Sequence, residues 1–294
     1  MSTVLKANFH THTNLCDGSN PPEEVVQQAI AYGFTALGFS GHMDPDIHMD
    51  LPVYLKEIKR LQEAYREKIE ILCGIELDVL YVEEVFGKDW DKKTLPLAYD
   101  PEDASMAKPE YWIGSAHFLK APDGSLIPVD FEPEMLAEGC EKYYGGDYYK
   151  LAAAYYELAA SIYEKTRCTF IGHFDLITRF NDSHPFLDET DSRYTGPALE
   201  AMQHLVKQGV AFEINCGAVN RGRKKELYPN LFLLKSLREF GGEILINSDA
   251  HQKELLNGAF DQALKAARTA GFDHVNLLSR DESGSVELKP LGIL

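Results

Sequence analysis

Two pairs of metal-capable side chains, each separated by one residue, stand out in this 294-residue sequence. His10 and His12 form the first pair, and Asp249 and His251 form the second. Because successive side chains of a β-strand alternate in direction, residues two apart face the same side and can bind one ion together. An HxH pair alone is weak evidence, since many such pairs bind no metal.

Further histidines and carboxylates follow short apolar runs elsewhere in the chain. A single histidine in such a place is more often a half-buried structural side chain, and a single carboxylate is more often a helix cap. The conjunction of many such residues favours a metal centre instead, and imidazole with carboxylate ligands suits zinc, manganese or iron. The candidate ligands are His10, His12, Asp17, His42, Glu76, His117, His173, Asp249 and His251.

These side chains must be positioned by regular elements, and short apolar runs do alternate with helical patterns along the chain. We predict strands at residues 7–12, 36–40, 70–76, 111–117, 169–173, 210–215 and 243–247. We predict helices at residues 22–31, 55–65, 197–208, 231–240 and 255–270, with a further helix capped by Asp147.

Alternating strands and helices indicate a parallel sheet with right-handed crossovers. Seven such units in 294 residues indicate a closed or nearly closed α/β barrel. Six of the seven predicted strands end beside a candidate ligand. Because the carboxyl ends of barrel strands meet at one mouth, the candidate ligands should meet in one cavity.

We expect a single domain over residues 1–294, since no segment rich in Pro, Gly or Ser divides the chain. The stretch 82–108 is too long for an ordinary connection and carries many charges and prolines. Long connections inside compact domains are often functional. We therefore expect it to be a lid or an inserted hairpin over the site.

The amino-acid composition limits the kinds of molecule that the protein is expected to bind. The chain has 29 Lys and Arg against 46 Asp and Glu, a formal net charge of −17. Nucleic acids and anionic membranes attract clustered basic residues, so we expect neither as a partner. A small anionic substrate remains compatible, because bound cations can reverse the local field. Five dispersed cysteines and no apparent signal peptide or apolar span lead us to expect a cytoplasmic protein.

The local motifs around the candidate ligands resemble those of the polymerase and histidinol phosphatase (PHP) family. They are His10-Thr-His12 with Asp17, Ser40-Gly-His42, Gly74-Ile-Glu76, Gly114-Ser-Ala-His117, Gly172-His173-Phe-Asp and Ser248-Asp249-Ala-His251. The resemblance extends over most of the chain. It implies a distorted seven-stranded (β/α)7 barrel with the active site at the carboxyl ends of the strands.

Within that family, the chain most resembles the histidinol-phosphate phosphatases. The resemblance implies about three divalent ions, zinc, manganese or iron, and hydrolysis of L-histidinol phosphate by a hydroxide held between two ions. The implied ligand sets are His10, His12, Glu76 and Asp249 for one ion, Glu76, His117 and His173 for a second, and Asp17, His42 and His251 for a third.

In this scheme Glu76 bridges two ions, and His251 or Asp17 protonates the leaving alkoxide, a choice that the sequence leaves open. Arg179 and Arg221 follow the fifth and sixth predicted strands. A guanidinium matches the geometry of a phosphate, so both are candidates for binding that group, although either could instead form a surface salt bridge.

Three other hypotheses remain. A PHP phosphoesterase could act on a nucleotide, a phosphotyrosine protein or a nucleic-acid end. An amidohydrolase also begins with an HxH strand, but its bridging ligand is usually a Lys, whereas Glu76 occupies that place here. A non-catalytic binding module should have lost several ligands, and none of the nine positions is lost.

Overall fold

The computed structural model of the chain describes residues 5–88, 90 and 95–293. Its strands are β1 (Ala7–Asn8), β2 (Ala36–Phe39), β3 (His42–Met43), β4 (Glu70–Asp78), β5 (Tyr111–Ser115), β6 (Phe118–Lys120), β7 (Leu126–Pro128), β8 (Phe170–Ile171), β9 (Ala211–Asn215), β10 (Ile244–Asn247), β11 (His274–Arg280) and β12 (Val286–Gly292). Its α-helices are α1 (Pro22–Ala31), α2 (Leu51–Tyr65), α3 (Val82–Phe86), α4 (Pro133–Tyr144), α5 (Tyr148–Ala160), α6 (Ile162–Thr166), α7 (Ser192–Lys207), α8 (Gly217–Asn220), α9 (Leu231–Glu239) and α10 (Phe260–Ala270).

Seven strands lie side by side in the order β1-β2-β4-β5-β8-β9-β10, and every neighbouring pair is parallel. The short β3 pairs with β4, which places His42 opposite Glu76. The two outer strands approach each other through a parallel bridge between Thr11 and Ala250. The sheet is therefore a nearly closed barrel, and the predicted seven-stranded α/β barrel is confirmed.

Apolar side chains fill the interior of the barrel. Every one of the seven strands contributes to this cluster, whose buried members on the strands are Ala7, Ala36, Leu72, Tyr111, Ile113, Phe170, Ala211 and Leu245. Leu278 of the antiparallel β11–β12 hairpin packs against the same cluster. The hairpin is absent from the sequence prediction, which has no element after residue 270. Because the interior is filled and the hairpin packs against it, a functional site is expected at the carboxyl ends of the strands.

The first strand is shorter than the predicted stretch 7–12, because side chains replace its ladder partners. Beyond Asn8, the amide of Phe9 donates to Asn247 Oδ1 at 2.9 Å, and the amide of Thr11 donates to Ser40 Oγ at 3.0 Å. His10 and His12 consequently lie just past the end of the strand, at the mouth of the barrel.

Most helices match the prediction, and α1 has the predicted bounds. Helix α7 begins five residues earlier than predicted, because Asp191 caps it at the amide of Arg193 and Pro197 lies within its length. Helix α10 begins at Phe260 rather than at 255, after Ala259, which has a left-handed φ of 54°. Asp147 caps α5, as predicted, by accepting from the amides of Tyr149 and Lys150.

The stretch 82–108 contains α3 and packs on the barrel through Val85 and Phe86, which are buried. Residues 89 and 91–94 of this stretch lie outside the described residues. The amide of Ala107 donates to the carbonyl of Leu55, which fixes the end of the stretch on α2. A lid role for 82–108 stays a prediction, and none of its described residues lines the main cavity at the mouth.

Candidate active site

All nine candidate ligands lie together at the mouth of the barrel. Seven of them are buried, and Asp17 and His251 keep side-chain exposures of 25% and 23%. The structure thus brings together residues that are as much as 241 positions apart, from His10 to His251. The reason is the parallel topology, which collects the carboxyl ends of the strands at one place.

Glu76, near the end of β4, occupies the centre of this cluster. Ser115 donates to its Oε1 at 2.8 Å. Five imidazoles surround its carboxylate, with nitrogen–oxygen distances of 3.0 Å for His10, 3.4 Å for His12, 3.2 Å for His42, 3.2 Å for His117 and 2.8 Å for His173. A carboxylate in this position can face two cations at once, as a bridging ligand must.

The remaining candidate ligands contact this centre. Asp249 Oδ1 lies 3.3 Å from His12 Nε2 and 3.7 Å from His10 Nε2. Asp249 adopts a left-handed φ of 48°, which is uncommon for a residue with a side chain and indicates a constrained site. Gly217 makes room for this arrangement, because a Cβ there would lie 2.5 Å from Asp249 Oδ2.

The more accessible part of the cluster is built around Asp17. Its Oδ2 lies 2.9 Å from His251 Nε2 and 3.7 Å from His42 Nε2, and its Oδ1 lies 3.4 Å from His12 Nδ1. Gly18 lets the loop approach closely, since a Cβ there would lie 2.6 Å from the amide nitrogen of Thr13.

Several buried polar atoms of the cluster have no hydrogen-bond partner among the described residues, although buried polar atoms nearly always have one. These atoms include His10 Nε2, His12 Nδ1 and Nε2, His42 Nδ1, Glu76 Oε2, His117 Nδ1 and His173 Nδ1. Divalent cations would satisfy most of them, because imidazole nitrogens and carboxylate oxygens are their common ligands. The residues therefore fit a metal centre.

Three groups of side chains could each hold an ion, with ligand atoms within 4.8 Å of one another: His12, Asp17, His42 and His251; His10, His12 and Glu76; His42, Glu76 and His117. These groups overlap closely with the three ligand sets that the family pattern implies. His173 and Asp249 lie outside the groups but contact their members, as described above.

The electrostatics of the cluster keep its carboxylates ionised. Burial raises the pKa of Glu76, but His10, His42 and His117 outweigh it and hold the pKa well below the usual range. Burial likewise raises the pKa of Asp249, but Arg221 and His10 hold it well below its usual range. These carboxylates are in the state that binds cations.

A cavity of about 800 Å³ opens at the cluster. Both predicted arginines line it. Arg221 Nη1 donates to the carbonyl of Asp249 at 2.8 Å, and its Nη2 lies 3.2 Å from Asp249 Oδ2. Arg179 Nη1 lies 3.6 Å from Asp130 Oδ2.

The sequence prediction missed a third arginine of this cavity, Arg223. Burial lowers the pKa of Arg223, and the positive charges of Arg179 and Arg221 nearby lower it further. The basic run at 221–225 was a visible signal for it, but such runs are usually solvated.

The prediction also missed buried carboxylates behind the histidines. Asp78 Oδ2 accepts from the amide of His117 at 2.7 Å, and Asp44 Oδ2 lies 3.4 Å from His42 Nδ1. Glu213 lies next to His10. Asp44 comes two positions after His42, and Asp78 comes two positions after Glu76. This spacing from a candidate ligand was the signal in the sequence that could have identified both carboxylates.

Comparison with known proteins agrees with this geometry. The sequence profile of the PHP domain matches residues 8–217, more than half of the chain. The chain belongs to the PHP family. Among the described residues of this PHP protein, no helix is long and apolar enough to cross a membrane.

Relatives of this PHP protein include two bacterial proteins whose names both contain histidinol-phosphatase. A probable histidinol-phosphatase of Deinococcus radiodurans is 30% identical over 282 residues, covering 89% of this chain and 92% of the relative. A histidinol-phosphatase of Lactococcus lactis is 24% identical over 288 residues, covering 94% of both chains.

The fold is also found in solved structures. Histidinol phosphate phosphatase of Lactococcus lactis, crystallised with zinc, L-histidinol and phosphate, superimposes with a TM-score of 0.71 at 20% identity, covering 97% of this chain and all of the other. A crystal structure of the putative histidinol phosphatase of Listeria monocytogenes gives a TM-score of 0.72 at 20% identity, covering 87% of this chain and 99% of the other. These likenesses support the barrel architecture.

Proposed function

We propose that this PHP protein is a metal-dependent phosphomonoesterase that hydrolyses L-histidinol phosphate to L-histidinol and phosphate. The observation that carries the proposal is one cavity that combines a metal-capable cluster with Arg179, Arg221 and Arg223. The names of the curated relatives support the choice of substrate. We also propose that the protein acts in histidine biosynthesis and that it does so in the cytoplasm.

The nine candidate ligands would hold about three divalent ions, of zinc, manganese or iron. Such ions, when bound, lower the pKa of a coordinated water and neutralise charge on the phosphoryl oxygens. Glu76 would bridge two of them from its central position.

One apolar cluster runs between the sheet and the helices from Leu5 to Ile293, which supports a single catalytic domain.

The protein's own residues would bind and orient the phosphate. Arg221 is held by Asp249, so its guanidinium is fixed at the edge of the ligand cluster. Arg179 and Arg223 line the same cavity with few competing contacts. A planar guanidinium can donate two parallel hydrogen bonds to a phosphate, which favours these residues for fixing the ester in one orientation.

The leaving alkoxide needs a proton, and the His251–Asp17 pair is placed to supply it. His251 Nε2 lies 2.9 Å from Asp17 Oδ2, and both side chains reach the accessible face of the cavity. His251 Nδ1 lies 3.0 Å from Arg221 Nη1 and 3.1 Å from the carbonyl oxygen of Asp249, contacts that hold the ring in place. We infer that one member of this pair protonates the leaving alkoxide while the other stays among the ligands of the third ion.

The organic half of L-histidinol phosphate carries an ammonium group and an imidazole. Besides the candidate ligands, four carboxylates line the same cavity: Asp44, Asp46, Asp130 and Glu132. Carboxylates attract cationic groups and accept their hydrogen bonds. Phe131 and Met135, which also line the cavity, offer apolar surface for the ring. This mixed lining favours a substrate with an anionic and a cationic end.

Steady-state hydrolysis of L-histidinol phosphate tests the proposal, beside p-nitrophenyl phosphate, a nucleoside monophosphate and a phosphotyrosine peptide. The protein is analysed for metal and then supplied with manganese or zinc. We expect metal-dependent hydrolysis with kcat/KM highest for L-histidinol phosphate. Metal-dependent activity on every ester except that one would retain the phosphoesterase and refute its substrate.

A further inference from the structure

Glu213 is a buried carboxylate that the proposed chemistry does not use. It lies in the middle of β9 with 0% exposure. Its Oε1 and Oε2 lie 3.1 and 3.0 Å from His10 Nδ1. The other ring nitrogen of His10, Nε2, lies 3.0 Å from Glu76 Oε2. His10 therefore stands between an outer carboxylate and the carboxylate at the centre of the site.

Three further groups donate hydrogen bonds to Glu213. The backbone amide of His173 and the side-chain amide of Asn215 donate to Oε1, each at 2.8 Å. The side-chain amide of Asn247 donates to Oε2 at 3.0 Å. A carboxylate has about four lone-pair positions, so these donors and His10 occupy its capacity.

This pattern of donors decides the tautomer of His10. His10 Nδ1 makes hydrogen bonds to both oxygens of Glu213, whereas Nε2 makes none among the described residues, although Glu76 Oε2 lies 3.0 Å from it. Because an ionised carboxylate only accepts hydrogen bonds, the nitrogen that bonds to Glu213 must carry the proton. The proton of a neutral His10 is then on Nδ1, and the lone pair is on Nε2. Nε2 is one of the buried atoms without a hydrogen-bond partner. It is therefore available as a ligand atom beside Glu76.

Glu213 also connects the segments that carry other candidate ligands. Its partner His173 follows β8, and its partner Asn247 ends β10, two residues before Asp249. One carboxylate thus fixes the relative positions of three neighbouring segments at the mouth. Outer groups that orient a metal-binding histidine typically change metal affinity or activity 10- to 100-fold when removed.

We propose that Glu213 is a positioning residue that holds His10 in its Nδ1-protonated tautomer and so sets the affinity for the ion bound through His10 Nε2. This inference rests on the metal centre of the proposed function. Glu213 itself touches neither substrate nor ion in this scheme.

The test compares Glu213→Gln with Glu110→Gln in metal titrations of the metal-stripped protein with Zn²⁺ and Mn²⁺. Glu110 is the matched control, because it is a largely buried carboxylate whose partners, including Arg280, lie at the opposite end of the barrel. We expect Glu213→Gln to weaken binding of one ion about 10- to 100-fold and leave the others near their wild-type affinity. Glu110→Gln should lower thermal stability without changing any affinity.

A second measurement needs no variant. Nitrogen-15 correlation spectra of the histidine side chains in the zinc-loaded wild-type protein report which ring nitrogen carries the proton. We expect His10 to be protonated on Nδ1 and metal-bound through Nε2. A proton on Nε2, or unchanged zinc and manganese affinities in a folded Glu213→Gln protein, overturns the proposal.

These readouts separate the inference from the proposed function, because neither uses a substrate. A protein that binds its ions and passes both tests but does not hydrolyse L-histidinol phosphate would refute only the substrate. A protein that hydrolyses it normally while failing both tests would refute only the role of Glu213.

Discussion

The two ends of the barrel treat a buried carboxylate in opposite ways. At the mouth, Glu76 is surrounded by five imidazoles, and its Oε2 has no hydrogen-bond partner among the described residues. At the base, Glu110 receives Arg280 Nε at 2.5 Å and Nη2 at 2.9 Å, and the amide of Cys73 also donates to it at 2.9 Å.

This contrast separates a structural ion pair from a binding site within one sheet. At the base, Arg280 and the amide of Cys73 donate hydrogen bonds to the carboxylate of Glu110, so this carboxylate needs no bound cation. At the mouth, the neighbours of Glu76 are themselves candidate metal ligands, and a buried polar atom without a hydrogen-bond partner costs free energy. Apolar packing in the barrel interior offsets that cost without taking part in the chemistry.

The largest expected effect comes from Glu76→Gln at the mouth. The amide lacks the negative charge that two cations would share, so we expect loss of at least one ion and a fall in kcat/KM of about 10²-fold or more. Metal analysis and steady-state kinetics measure both. Full activity with a full complement of ions would refute the bridging role.

At the base, Leu278→Ala should reduce stability and leave the chemistry intact. Leu278 is buried against the barrel interior, and truncation of such a leucine typically costs about 2–5 kcal/mol. Chemical denaturation measures the loss, and kcat per folded molecule should equal that of the wild type. A fall in kcat would show that the two ends are coupled.

Back at the mouth, Arg221→Ala should mainly raise KM. Removing a charged donor to the phosphate costs roughly 1.5–3 kcal/mol, which corresponds to about a 10- to 100-fold weaker interaction. Kinetics on L-histidinol phosphate measure the change, and Arg179→Ala serves as the comparison. If KM is unchanged in Arg221→Ala but rises in Arg179→Ala, the phosphate is bound by the second arginine instead.

The smallest effect is expected outside both ends, for Asp147→Ala at the start of α5. Losing the cap that accepts from Tyr149 and Lys150 should cost about 1 kcal/mol of stability. Thermal denaturation measures this loss, with metal content as the control. A change in metal content would show that the outer helices help to shape the mouth.

The order of residues was sufficient to predict the barrel and the side chains that meet at its mouth. A proline in the first turn predicted α1 with the bounds it has, and the regular placement of His10, Glu76 and Asp249 at the ends of strands predicted their convergence. These features are local, since strand and helix periods and the residue after a strand depend on neighbouring residues.

Features that depend on partners distant in sequence could not be predicted and are visible only in the folded protein. Strand β1 ends at Asn8 because Asn247 and Ser40 take the amides that follow, and no local pattern announces those acceptors. Glu213 acquires its position behind His10 in the same way, from a contact across 203 residues. Hydrogen-bond partners and charge environments form only when the closed barrel brings remote segments together, so they belong to the fold rather than to any segment of the sequence.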